Sequence, residues 1–320
     1  MTPMVCIITR TKNRGTLLRR ALLSVAQQTF NDYLHIIVND GGRLDDVTNA
    51  LSFLSQEELL KVRVISNELS LGMESASNIG INSNDSKFIV IHDDDDSWQV
   101  DFLRRTTDFL QSHPDIMGVV TKSYMVAEKI AGDEINILYS SEYKPRIQQI
   151  SLFDILKENS FPPIAFVYRR EALDKIGIYD ENLPVLGDWD FNIRFLSNFD
   201  IDLIDERLAN YHHRFHQIGD NGNSIINGLN MHKITRNKIN NKLFRRDLQS
   251  GKIGIGVLTN LLPFLADNSL KLVCKKWISR MKIKIMITET ISFLFKDSHS
   301  NLLTLRFKKQ GSDCNDKLTH

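Results

Sequence analysis

Phe88-Ile89-Val90-Ile91-His92-Asp93-Asp94-Asp95-Asp96-Ser97-Trp98 carries more structural information than any other run in the chain. Four consecutive apolar residues, two of them isoleucine and one valine, read as a buried strand. Four carboxylates follow at once, and neighbouring carboxylates repel one another unless a cation or solvent offsets the charge. Mg²⁺ and Mn²⁺ accept such hard oxygen ligands and often share them with phosphates. If the segment stays extended, alternate side chains share a side, so Asp93 and Asp95 are expected to face one ion. An EF-hand is excluded, because its sixth and twelfth positions would be Trp98 and Arg104 instead of Gly and Glu. A solvated acidic turn before a helix is the plainer alternative. A phosphatase using the first of two alternate aspartates as nucleophile is another, and leaves Asp40 unexplained.

Outward from this run, strands and helices alternate. Val5–Thr9, Tyr33–Val38 and Val62–Ile65 read as strands, with helices at Gly15–Gln28, 44–60 and Gly72–Asn82. Such alternation predicts an α/β fold with a mostly parallel sheet flanked by helices. Ligands in these sheets bind beyond the carboxyl ends of the strands. Thr9-Arg10, Asp40 and Asp93–Asp96 all fall there, so they are expected along one edge. After residue 115 the pattern loosens: a strand at Ile164–Tyr168 after Pro162-Pro163, a short amphipathic helix at Asp188–Leu196, short strands at Ile201–Ile204 and Leu208–Tyr211, and helix from about 225.

With 320 residues, 42% apolar and 25% charged, the chain has enough apolar material for a core. A formal net charge of +1 gives no global footprint for nucleic acid, and no nucleic-acid partner is expected. Cys6, Cys274 and Cys314 are too few and too scattered for a disulfide framework or zinc site, which suits a reducing cytoplasm. The N-terminal MTPMVCIITRTKNR lacks the apolar run of a secretory leader, and no stretch reaches the roughly 20 apolar residues of a spanning helix.

Several motifs in order resemble the family 2 inverting glycosyltransferases of the GT-A (Rossmann-like) fold, over roughly residues 4 to 215. Val5-Cys-Ile-Ile-Thr-Arg-Thr-Lys-Asn13-Arg14 is similar to that family's first strand, and Ser24-Val-Ala-Gln-Gln28-Thr to the end of its first helix. Ile37-Val-Asn-Asp40-Gly-Gly resembles its second-strand signature, with Asn39 replacing a frequent aspartate. Leu71-Gly72 through Asn78 matches its glycine and asparagine, although Ser77 stands where arginine is common. Asp93-Asp94-Asp95 falls on its Asp-x-Asp metal motif. Gly187-Asp188-Trp189-Asp190 through Arg194 resembles its acidic pair and downstream arginine, although Gly187 replaces a usual Glu or Asp. The Gln-x-x-Arg-Trp sequence of processive members is absent.

The resemblance implies transfer of a sugar from a nucleoside-diphosphate sugar, with UDP- or dTDP-sugars favoured, to a saccharide or lipid-linked acceptor, in surface polysaccharide biosynthesis. Asp188 corresponds to the base that takes the acceptor proton. Mg²⁺ or Mn²⁺ on Asp93 and Asp95 corresponds to the ion that stabilises the leaving diphosphate. Thr9, Arg10, Arg14, Asp40, Asn78, Asp93 and Asp94 fall at the donor site, and Asp40 corresponds to the residue that binds the base. A late histidine in the wider fold completes the metal set or touches the diphosphate, and His212 and His213 are the candidates; in a strand they face opposite ways, so at most one serves, and a surface pair is the plainer alternative. Trp98, Pro163, Trp189 and Asp190 are the expected acceptor-side residues. A metal-dependent phosphatase or nucleotidyltransferase, and a non-catalytic sugar-binding protein that kept the fold, are the alternatives; Gly187 is what favours the last.

The expected organisation is a nucleotide-sugar half (1–125), an acceptor and catalytic-base half (126–215) and a helical C-terminal region (216–320). Lys271–Lys284 holds six basic residues and no acidic ones, with Val273, Trp277 and Met281 at helical spacing. Such a helix either lies on an anionic membrane surface or packs on the domain. A peripheral position on the inner face of the membrane is the corresponding expectation. The polar tail after Lys309 is expected to be disordered.

Overall fold

The computed structural model describes residues 2–132, 134–215, 219, 222 and 229–266. Strands β1 (Val5–Thr11), β2 (Tyr33–Asp40), β3 (Val62–Asn67) and β4 (Phe88–Ile91) pair in parallel in the order β3-β2-β1-β4. Between them lie α1 (Gly15–Ala26), α2 (Leu44–Leu51), α3 (Gln56–Leu59) and α4 (Met73–Asn82). The helix expected over 44–60 is two helices. Ser55 caps the second one reciprocally with Glu58, and a cap is a start signal that continuous helix lacks.

Alternate residues of β2 feed two cores, as the period of a strand requires. Ile37 packs with Leu18 and Leu22 of α1 and with Val47 of α2. Ile36 and Val38 pack with Ala76 and Ile81 of α4 and with the rest of the main core. The sheet is therefore covered on both faces. Gly80 lets α4 approach closely, since a Cβ there would come within 2.5 Å of Ile8 Cγ2.

The second half holds β5 (Ser97–Trp98), α5 (Phe102–Ser112), β6 (Gly118–Ala131), β7 (Glu134–Tyr143), α6 (Leu152–Lys157), β8 (Phe166–Arg169), α7 (Leu173–Ile176), α8 (Gly187–Leu196) and β9 (Ile201–His213). The sheet continues from β4 as β8-β6-β9-β5, with β7 hairpinned onto β6. Here β6 and β9 are parallel and the other pairings are antiparallel. The two short strands expected at 201–211 are one strand, whose register against β6 slips around Lys122. The polar Asp205-Glu206-Arg207 at that irregularity conceals the continuity.

Helices α9 (Leu229–Ser250) and α10 (Ile255–Ala266) follow. Ile239 and Leu243 of α9 are 2% and 7% exposed and belong to the main core. The compact unit consequently runs to Phe264, past the boundary expected at 215. The basic stretch Lys271–Lys284 and the tail lie outside the described residues. Among the described residues no helix is long and apolar enough to cross a membrane.

Candidate active site

A cavity of about 540 Å³ opens at the carboxyl ends of β1, β2 and β4, within the range that takes a nucleotide-sized ligand. From the end of β1, Arg10 and Arg14 reach into it. Asn13 between them is left-handed (φ 57°), a conformation asparagine tolerates, and this turns the chain into α1. Thr9 is not in the cavity. It is fully buried, and its hydroxyl bonds His35 Nε2 at 2.8 Å inside the sheet.

The aspartate run is a turn, not an extended segment: the Asp96 N–H donates to the Asp93 carbonyl at 3.2 Å. Three consecutive carboxylates, Asp93, Asp94 and Asp95, therefore face the cavity, instead of alternate ones. Asp96 turns inward and accepts the His212 N–H at 2.8 Å. Arginines answer the outward three. Arg10 pairs with Asp93, Arg14 with Asp94 at 3.1 Å and with Asp95 at 3.6 Å, and Arg214 with Asp95. Burial pushes Asp94 up to about 6 despite Arg14. Burial also opposes ionisation of Asp95, but Arg214 and Arg14 outweigh it and hold the group below the usual range.

Asp40 lies at the end of β2 and lines the cavity. Its Oδ1 accepts from Asn67 Nδ2 (2.9 Å) and the Leu71 N–H (2.8 Å), and its Oδ2 from Ser70 Oγ (2.8 Å) and the Gly72 N–H (2.9 Å). Burial works against the charge, yet these four donors keep Asp40 below the ordinary carboxylate range. A carboxylate has about four lone-pair sites, so the loop from Asn67 to Gly72 uses them all.

Across the cavity, α8 begins at a left-handed Leu186 (φ 64°), and strain of this kind tends to collect at functional sites. The turn presents Gly187 and Asp188. Asp188 Oδ2 accepts from Asn159 Nδ2 at 2.6 Å and its Oδ1 from the Trp189 N–H at 2.8 Å. Burial nonetheless raises Asp188 to about 6. Asn159 is itself held by Asn192 at 3.0 Å. Asn159 and Glu74 of α4 both line the cavity, and neither was expected from the sequence.

The acceptor-side expectations divide. Pro163 lines the cavity beside Phe161 and Pro162. Trp98 does not: it is 5% exposed, stacks on Phe102 at 4.3 Å and donates to the Ile164 carbonyl at 2.8 Å. Trp189 is likewise core, its indole donating to the Ile155 carbonyl at 2.6 Å. Asp190 points away and pairs with Arg194 at 2.7 Å. Asn78 is buried and ties α4 to Tyr179 and Glu181. The cavity walls are instead completed by Tyr143, Tyr211 and His232, the last from α9. These residues lie where the sequence shows no motif.

The histidines of β9 do alternate. His212 is buried, with Nδ1 2.6 Å from Glu128 and Nε2 2.9 Å from Ser97. His213 lies on the Tyr211 side, the two rings 4.3 Å apart. Burial lowers His213 below its usual value and keeps the imidazole neutral, and its Nε2 is buried without a hydrogen-bond partner. Neither His212 nor His213 is among the described residues that line the cavity. The carboxylate oxygens of the Asp93–Asp95 turn suit a hard divalent cation. Among the described residues, however, no three His, Cys, Asp or Glu side chains converge as a complete metal set. An ion bound at this turn would draw further oxygens from a diphosphate.

Comparison with known proteins agrees with this geometry. Residues 6–177 match the model of Glycosyl transferase family 2. An uncharacterised glycosyltransferase, YwdF of Bacillus subtilis, is 26% identical over 226 residues, covering 68% of this chain and 76% of its own. A PGL/p-HBAD biosynthesis glycosyltransferase of Mycobacterium bovis is 28% identical over 197 residues, covering 61% and 71%. Among solved structures, S. aureus TarS 1–349 in complex with UDP-GlcNAc aligns with a TM-score of 0.53 at 19% identity, over 67% of this chain and 59% of that one. Its UDP complex aligns at 0.50 and 19%, over 65% and 60%. At such identities the structural match bears on the fold, which it shows to be that of the GT-A glycosyltransferases. The family match covers more than half of the sequence and spans the strand ends that build the cavity, so the chain belongs to Glycosyl transferase family 2 and is a glycosyltransferase.

Proposed function

We propose that the protein transfers a sugar from a nucleoside-diphosphate sugar to a hydroxyl of a saccharide or lipid-linked saccharide, with inversion at the anomeric carbon. The observation that carries this reading is the pairing of Asp188, a half-buried carboxylate raised to about 6, with a cavity whose far side holds Arg10, Arg14 and the Asp93–Asp95 turn.

A carboxylate raised to that value is still ionised at neutral pH and is a stronger proton acceptor than an ordinary aspartate. Asp188 takes the acceptor proton as the hydroxyl oxygen attacks. One base and one displacement give inversion. Asn159 and the Trp189 amide hold the carboxylate in a fixed orientation. Arg10 and Arg14 lie where negative charge develops on the leaving diphosphate, and fixed cations stabilise it without reorganisation. A divalent ion on Asp93 and Asp95, when bound, supplies the same stabilisation as a Lewis acid. Tyr143, Tyr211 and Phe161 offer the aromatic surface against which the apolar face of an acceptor sugar packs.

Asp40 stands at the base end of the cleft. Binding a uracil or thymine N–H there exchanges one of its loop donors for the base. UDP is the favoured nucleotide, supported by the fold match to a protein solved with UDP and UDP-GlcNAc.

The test is a pair of variants. Asp95→Ala should weaken metal-dependent UDP binding. Asp188→Asn should leave that binding intact and reduce transfer by roughly 10²–10⁴-fold. Full transfer activity in Asp188→Asn would remove the base from Asp188 and sink the mechanism.

A further inference from the structure

Gly187 has no side chain because another residue already fills the space. A Cβ built there would lie 2.6 Å from Glu74 Oε2 and closer still to its Cδ. Glu74 sits in the first turn of α4, 3% exposed, and its carboxylate rests on the N-terminus of α8, where it accepts from the Gly187 amide. Oε2 is buried without a hydrogen-bond partner, 3.7 Å from Arg10 Nη1. Leaving a buried carboxylate oxygen without a donor costs free energy, and such a cost is tolerated where a ligand supplies the donor.

We propose that Glu74 binds a hydroxyl of the transferred sugar, supplying from α4 the site carboxylate that position 187 does not carry. This rests on the glycosyl-transfer reading above. The position of Glu74 selects the ligand. On one side of it stands Arg10, which pairs with Asp93 at the diphosphate end; on the other is Gly187, next to the base Asp188. The group that spans diphosphate and base is the sugar being transferred. Its hydroxyls donate, which is what Oε2 lacks. Gly187 is then the steric partner of Glu74, and its missing side chain is no sign of lost activity. Burial and the neighbouring Asp188 raise Glu74 to about 7, so near neutral pH the group is able to accept from one hydroxyl or donate to another.

The experiment titrates wild type, Glu74→Ala, Glu74→Gln and the double variant Glu74→Ala/Gly187→Glu with UDP, dTDP and their glucose, galactose and N-acetylhexosamine derivatives in the presence of Mn²⁺. Thermal melting checks folding. Glu74→Ala should keep nucleotide affinity within about twofold while weakening the preferred sugar nucleotide roughly tenfold or more, the loss expected for a hydrogen bond to a charged group. The double variant should recover most of that loss, which a merely structural Glu74 would not produce. If Glu74→Ala does not fold, the same ratio is read on Glu74→Gln, which keeps the shape and loses the charge. Equal weakening of nucleotide and sugar nucleotide, or no change in either, overturns the inference and leaves the glycosyl-transfer reading standing. Absence of nucleotide binding in the wild type overturns both.

Discussion

Asn159 orients Asp188: its amide nitrogen lies 2.6 Å from Oδ2, and Asn192 fixes the Asn159 amide in turn. The bond favours the ionised form of Asp188 against the burial that raises it to about 6. Transfer should therefore fall as pH drops through about 6, because the base becomes protonated. Asn159→Ala removes a donor to the anion and should move this limb of the kcat/KM profile to higher pH, with kcat reduced. An unmoved limb in the variant would detach Asp188 from the titration.

Glu128 makes an opposite kind of prediction, one of stability. Its buried carboxylate contacts Arg20, Arg214 and His212 together. Burial opposes the charge, but the His212 hydrogen bond and Arg20 overcome it and hold Glu128 at about 2. A depressed folded value means stability that is present above the ordinary value of 4.5 and lost as pH falls from there towards 2. Glu128→Ala should cost about 3–5 kcal/mol at pH 7, since it removes the buried carboxylate that Arg20, Arg214 and His212 share. The difference from wild type should shrink in denaturant titrations below pH 4. A constant difference across pH would refute the linkage.

Asp40 should behave as a loop anchor as well as a nucleotide contact. Asp40→Ala strands the Leu71 and Gly72 amides and the Asn67 and Ser70 side chains at once. Amide exchange across 67–72 should accelerate and UDP affinity should fall together. Loss of affinity with unchanged exchange would assign Asp40 to the base alone.

The parallel part of the sheet is legible in the sequence because buried parallel strands are nearly continuous apolar runs, and the expected bounds of β4 match the strand at both ends. The charged residues at their ends met as the strand-end rule predicts. The β6–β7 hairpin was not seen. Ile137, Leu138 and Tyr139 are consecutive and all exposed, so β7 lacks the alternation that marks a half-buried strand. Trp98 and Trp189, expected on the acceptor side, are core, because a tryptophan after a strand or in a helix has the same sequence signature in either role. Thr9 and Asn78 stand in motifs that surround the site while their side chains bond inward. Glu74 has a sequence signal of its own: an acidic residue just before the small residues Ser75, Ala76 and Ser77, two positions after Gly72. Asn159, Tyr143 and His232 come from separate elements, and only the fold brings them together.

In the proposed reading the cleft holds a nucleoside diphosphate between Arg10, Arg14 and the Asp93–Asp95 turn, opposite Asp188. The decisive measurement is calorimetric titration with UDP and dTDP, with and without Mn²⁺. Saturable binding that tightens with Mn²⁺, with the Mn²⁺ effect weakened in Asp95→Ala, is the predicted result. A folded protein that binds neither of these, nor GDP, would contradict the account.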